Sequence, residues 1–271
     1  MMSDGWFWGK KGVFFMYHWI EDKAFLGRMK GLCSDLVNQL VQAINRKGLL
    51  EVKQHLVGSG AKNLITQNAD RPIDLDYNLE ILRSKGININ NGRQIKEYVR
   101  DRFDEVLARA GWEPSDDSTS ALTTKERYFC TGNQTPFKID LCITRIDELG
   151  SFHRLIHNKT GIVQLDRWIW NEAPHAKGLE DRVDWLKGNG YWLELREVYL
   201  DRKNMYLSRN DHDHPSFIVF IEAVNELYSK YNPRAAYQLH TGVRLSESFF
   251  GISVSSTQPE RLSNWSFPWN R

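Results

Sequence analysis

The chain has 271 residues, 41% of them hydrophobic and 12% aromatic, enough to bury a substantial core in one enlarged domain or two closely joined ones. Lys and Arg number 36 against 34 Asp and Glu, a formal charge of +2, which excludes a global electrostatic pull toward nucleic acid and leaves only a local basic patch for such a partner. Three cysteines, Cys33, Cys130 and Cys142, are odd in number and lack metal-ligand spacing, which argues against a disulfide framework and for a reducing compartment.

In chain order, the aromatics Trp6, Phe7 and Trp8 and the pair Lys10-Lys11 precede an apolar run from Gly12 to Ile20. That run holds Tyr17, His18 and Trp19 and has no small-residue cleavage site, so it reads as an aromatic hairpin or docking segment turned at Gly9 to Gly12, not a secretory signal. No other stretch approaches the roughly 18–20 apolar residues of a membrane span, so a soluble, cytoplasmic protein without a membrane partner is expected. Leu32, Leu36, Val37, Leu40, Val41 and Ile44 recur at helical spacing and stop before Gly48. His55-Leu56-Val57 then forms a strand delivering the turn Gly58-Ser59-Gly60, after which Asn63 to Arg71 is expected to loop. Ile73, Leu75, Tyr77 and Leu79 alternate with Asp74, Asp76, Asn78 and Glu80, the pattern of a half-buried strand.

A helix capped by Asn90 or Asn91 follows, with Ile95, Val99, Phe103, Val106, Leu107 and Ala110 on its apolar face and its end at Gly111. Ala121 to Phe129 and Thr135 to Thr144 read as paired strands joined by a turn at Thr131 to Gln134. In the second, Ile139, Leu141 and Ile143 alternate with Lys138, Asp140 and Cys142. Beyond residue 150 the character shifts toward helix: one segment ends at Gly188, another begins near Leu193, and the clearest runs from Ser216 to Tyr231 before Asn232-Pro233. Gly242 to Ser256, with apolar alternation at Val243, Leu245 and then Phe249 to Val254, suggests one or two further strands, and the tail carries Trp265, Phe267 and Trp269. The expected architecture is α+β: a small mixed sheet flanked by helices over residues 1–150, and a mainly helical part over residues 151–271 that closes the other wall of a cleft.

Two aspartates on one strand face and a third on a neighbouring strand place three carboxylates on one open sheet. Such a group stays ionised cheaply only with cations between its members. Hard oxygen donors suit magnesium or manganese, usually completed by a substrate's phosphates, and two such ions serve in-line phosphoryl or nucleotidyl transfer. The Gly58-Ser59-Gly60 turn lets backbone N–H groups approach phosphate, with Lys62 just beyond as a further partner.

These residues resemble the nucleotidyltransferase superfamily typified by DNA polymerase beta: an apolar strand ending in Gly58-Ser59, a helical turn, an Asp74-x-Asp76 strand, and a later strand with Asp140. The resemblance covers roughly residues 30–145. The long helical stretch before the third acid looks most like the oligoadenylate synthetase and bacterial cyclic-dinucleotide synthase branch. It implies that Asp74, Asp76 and Asp140 bind two magnesium or manganese ions and that Asp140 helps deprotonate an acceptor hydroxyl. The substrate implied is a nucleoside triphosphate such as ATP. The acceptor is left open among a second nucleotide, an RNA end, a protein and a small molecule.

Two other readings stand beside it. The fold could serve as a catalytically silent binding or regulatory module, as in a toxin-antitoxin pair, with the aromatic termini contacting a protein partner or a second copy. Asp211-His212-Asp213-His214 could instead bind zinc or manganese for hydrolysis, although its place before Pro215 and a helix favours a polar capping turn.

Overall fold

The computed structural model describes residues 16–172, 178–209, 211 and 216–232. The expected hairpin turn at residues 9–12, the strands at 242–256, the aromatic tail, and His212, Asp213 and His214 lie outside the described residues. Elements run β1 (Tyr17–Trp19), α1 (Lys23–Lys47), β2 (Leu50–Leu56), α2 (Gly58–Lys62), β3 (Thr66–Asn68), β4 (Ile73–Ser84) and α3 (Gly92–Arg109). They continue β5 (Asp116–Asp117), β6 (Leu122–Thr123), β7 (Phe137–Ile146), β8 (Phe152–Asn158), β9 (Arg167–Glu172), α4 (Leu179–Gly188), α5 (Trp192–Ser208) and α6 (Ser216–Tyr231). This is the α+β arrangement expected, with a mixed sheet between helices.

Local chemistry sets the helix ends. The Asp22 carboxylate accepts the Phe25 N–H at 2.9 Å to start α1, and Gly48, at φ +71, ends it in the left-handed conformation. Along α1 the residues Phe25, Met29, Cys33, Leu36, Val37, Leu40 and Ile44 form one buried stripe. Asn91 caps α3 by accepting the Gln94 N–H at 3.1 Å. The apolar stripes of α1 and α3 pack with Leu75, Tyr77, Leu79, Ile139 and Leu141 in one core.

β4 lies inside the sheet, next to the edge strand β2, to which it is antiparallel, and parallel to the central β7. The sheet runs β2-β4-β7-β6-β5, and β8 also pairs with β7 and carries β9. The strand expected over residues 121–129 is reduced to β6 plus a single bridge at Arg127. Thr124 explains the break: its hydroxyl accepts the Ile139 N–H at 2.9 Å, so a side chain occupies a ladder position. β8 and β9 were not expected, and the shift to helix sets in after Glu172 instead of residue 150.

The last three helices bury a second core of Leu179, Val183, Leu186, Leu195, Tyr199, Phe220, Val224 and Leu227. Leu64, just after α2, is buried in that core, and Trp19 of β1 stacks on Tyr199 with ring centroids 6.3 Å apart. Asn204 of α5 accepts the Tyr17 N–H at 2.7 Å and donates to the Tyr17 carbonyl at 3.0 Å. β1 pairs antiparallel with β3, so the described end of the aromatic N-terminal segment joins the strand after α2 to the helical wall.

Candidate active site

β2 ends at Leu56, and Val57, still extended, donates its N–H to the Asp76 carbonyl at 2.8 Å, so the chain turns into α2 directly against β4. Gly58 sits at φ +62, and a Cβ there would stand 2.5 Å from Asp76 Oδ2. Only glycine permits both that backbone and that approach. Ser59 occupies the first turn of α2, whose start has no side-chain cap. A Cβ on the buried Gly60 would meet Leu75 Cδ2 at 3.0 Å and Leu56 Cδ1 at 3.1 Å, so α2 is seated closely on the sheet.

Because Ile73, Leu75 and Tyr77 take the core face of β4, Asp74 and Asp76 take the other. The parallel register with β7 sets Asp74 opposite Lys138 and Asp76 opposite Asp140. Strands lie about 4.8 Å apart, so the Asp76 and Asp140 side chains leave one sheet face as lateral neighbours. The Lys138 Nζ stands 3.4 Å from Asp74 Oδ1, and the Thr123 hydroxyl donates to Asp140 Oδ1 at 2.6 Å. The expected trio is therefore brought onto one face beside the glycine turn.

Desolvation raises the pKa of Asp74, Lys138 pulls it back, and Asp140 adds to the rise. For Asp76 desolvation is again the largest cause, followed by the charges of Asp140 and Asp74, and together they push it up to about 7 against the opposing charge of Arg154. Between its ordinary 3.8 and about 7 the folded protein keeps a proton that the unfolded chain has lost. Stability therefore falls as pH rises through that window, and the full cost, at most about 4 kcal/mol, is present above pH 7. Asp76→Asn is expected to raise unfolding free energy by about 2–4 kcal/mol at pH 8 and to leave it unchanged near pH 4. Urea titrations at the two pH values, without divalent cations, check this; an equal effect at both would refute the electrostatic cause.

Among the described residues no three His, Cys, Asp or Glu side chains are gathered closely enough to cage an ion by themselves. The candidate donor set nevertheless fits a hard divalent cation: each of the three groups is a carboxylate, Asp76 has excess neighbouring negative charge, and magnesium ordinarily takes only one or two protein carboxylates besides phosphate.

The elements stand in the order strand, Gly58-Ser59 turn, Asp74-x-Asp76 strand and parallel Asp140 strand, the order expected from the resemblance to nucleotidyltransferases. No family model and no curated protein matches the chain. Among solved structures it is similar to Escherichia coli MS115-1 CdnC with ATP, at 14% identity over 87% of this chain and 74% of that one, with a TM-score of 0.46. It is also similar to the Bradyrhizobium diazoefficiens CD-NTase CdnG in complex with GTP, at 12% identity over 65% of this chain and 41% of that one, TM-score 0.34. Against the Vibrio cholerae DncV cyclic AMP-GMP synthase the values are 14% identity, 55% of this chain, 37% of that one and TM-score 0.37. The chain thus spans less than half the length of the last two.

Three groups near the site escape sequence reading. Lys203 of α5 donates to Thr66 Oγ1 at 2.8 Å, stands 3.9 Å from the Tyr17 ring centre, and is lowered by burial to about 8, with Asp74 pulling the other way. Arg154 of β8 pairs across from Thr144 and sends its charge toward Asp76. Thr123 reaches Asp140 across a turn-rich loop. Lys203 lies between Arg202 and Asn204 on a helix without a clear apolar stripe, a pattern that reads as solvated surface.

Three further cations have neighbours of their own. Lys62 stands 5.1 Å from the Phe220 ring centre, Lys125 pairs with Asp116 at 2.6 Å, and Arg127 lies over Trp112. Cys142 is buried, with its thiol pushed up by burial. No helix among the described residues is long and apolar enough to cross a membrane.

Proposed function

We propose that the protein transfers a nucleoside monophosphate from a nucleoside triphosphate to an acceptor hydroxyl and releases pyrophosphate. The observation that supports this most is the lateral pairing of Asp76 and Asp140 beside a glycine turn whose backbone crowds Asp76. Asp74, Asp76 and Asp140 would hold two magnesium or manganese ions, which when bound would neutralise the triphosphate and polarise the acceptor oxygen. The chain's own groups divide the remaining work. Gly58, Ser59 and Gly60 present backbone N–H groups and a hydroxyl to the phosphates, with Lys62 and Lys203 as cationic partners. Asp140 Oδ2, on the oxygen not engaged by Thr123, orients the acceptor hydroxyl and receives its proton.

Incubation with each labelled triphosphate and magnesium, with and without cellular RNA, tests the reading through pyrophosphate release and reports the acceptor. A signal that survives Asp74→Asn would count against it. Lys203→Met is expected to raise KM for the triphosphate about tenfold or more with a smaller change in kcat. Wild-type KM should also rise as pH passes about 8, where Lys203 loses its charge. A flat pH profile of KM would remove Lys203 from phosphate binding.

The second reading, a silent nucleotide-binding or regulatory module of the toxin-antitoxin kind, has one observation in its favour: Lys138 already neutralises Asp74. It requires triphosphate binding by calorimetry without pyrophosphate release from any triphosphate.

A further inference from the structure

We infer that Thr123 is a positioning residue for Asp140, held in place by a polar chain anchored on the buried Lys96 and His157 that ends on the β8–β9 hairpin. The inference rests on the reaction proposed above. Thr123 is the register partner of Asp140 in the antiparallel β6–β7 pair, and its hydroxyl donates to Asp140 Oδ1 at 2.6 Å. Ser118 Oγ lies 3.0 Å from Thr123 Oγ1. A hydroxyl has one proton, and Thr123 gives its own to the carboxylate, so Ser118 must donate to Thr123. Both dipoles then point toward Asp140 and reinforce each other.

The loop carrying these hydroxyls is fixed from within. Lys96 of α3, only 3% exposed, donates to the Ser118 carbonyl at 2.6 Å and pairs with Asp117 Oδ1 at 2.6 Å. Asp117 Oδ2 meets His157 Nδ1 at 2.8 Å, and His157 Nε2 meets Asp166 at 3.0 Å. The His157 ring stacks on Trp168 at 4.0 Å, its backbone N–H donates to the Thr119 carbonyl at 2.7 Å, and Lys159 donates to the Asp117 carbonyl. A buried cation is costly unless fully paired, and here its partners belong to the loop that presents Thr123. With Oδ1 engaged by Thr123, the Asp140 carboxylate is held in one orientation, which leaves Oδ2 to serve the proposed reaction.

The test compares Thr123→Val, which keeps the shape and loses the hydroxyl, with Thr123→Ser, which keeps the hydroxyl. Thr123→Val should lower kcat on the order of 100-fold, as a misplaced reacting group does, with KM for the triphosphate within about twofold. Thr123→Ser should recover kcat to within about fivefold of the wild type, and Ser118→Ala, which removes only the second hydroxyl, should lose about fivefold to tenfold. Equal kcat in Thr123→Val and wild type, or a Thr123→Ser as slow as Thr123→Val, overturns the inference. Crystal structures of wild type and Thr123→Val give the readout independent of turnover: the Asp140 carboxylate should rotate in the variant. If the wild type releases no pyrophosphate, the proposed reaction fails. An Asp140 that then keeps its orientation in Thr123→Val defeats the positioning role as well, whereas a rotated one sustains it.

Discussion

Replacing Asp140 with asparagine is expected to lower pyrophosphate release by about 1,000-fold or more at saturating triphosphate, with nucleotide affinity changed less than tenfold. Asparagine keeps the shape and one oxygen but loses the charge and the capacity to take a proton. Asp76→Asn should be as damaging, because the two carboxylates stand side by side on β4 and β7 and in the proposed reaction would act on one centre. The double replacement should then be scarcely worse than either single one, as groups that work as a unit are not additive. Single-turnover assays with labelled triphosphate measure all three. Strict additivity of the two losses would mean that Asp76 and Asp140 serve separate sites.

Gly58→Ala is expected to be nearly as harmful to turnover without removing any reactive group. The substitution places a methyl 2.5 Å from where Asp76 Oδ2 now lies and also puts a side chain on a backbone at φ +62. The backbone alone costs about 1–2 kcal/mol of stability. Displacement of the carboxylate adds a rate loss on the order of 100-fold, the scale expected when a reacting group is moved by about an ångström. Gly111→Ala is the matched control, since Gly111 has φ +72 with nothing within 4 Å of the added Cβ. It should show a similar loss of stability in urea with unchanged turnover. Were both variants to retain full rate, the contact between the turn and Asp76 would have no part in catalysis.

The placement of the three candidate carboxylates beside the glycine turn was legible in the sequence because its information is local. Period-two alternation put Asp74 and Asp76 on one face and Asp140 on the matching face of another strand, and Gly58-Ser59 marked the turn between strand and helix. The helices ending at Gly48 and Gly111 and the three after residue 178 followed from apolar spacing and end signals in the same way. What escaped depends on partners distant along the chain. β8 and β9 carry mixed sequences, with His153 and Arg154 in one and Arg167 and Asn171 in the other, and neither shows the regular alternation of β4. Their pairing is visible only once the Thr144–Arg154 register is known. Thr123 and Ser118 look like ordinary loop hydroxyls until β6 is laid beside Asp140, and Lys203 joins the site only through the fold that brings α5 over β3.

Leu64 lies four residues beyond the glycine turn's last member and is sealed within the apolar interior of the carboxy-terminal helices. A swing of those helices away from the sheet must either extract that side chain or drag the Gly58–Gly60 segment along. In the reaction proposed above, substrate entry and the geometry of the glycine turn would therefore be mechanically geared, since moving the helices would also pull on the backbone of residues 58–60.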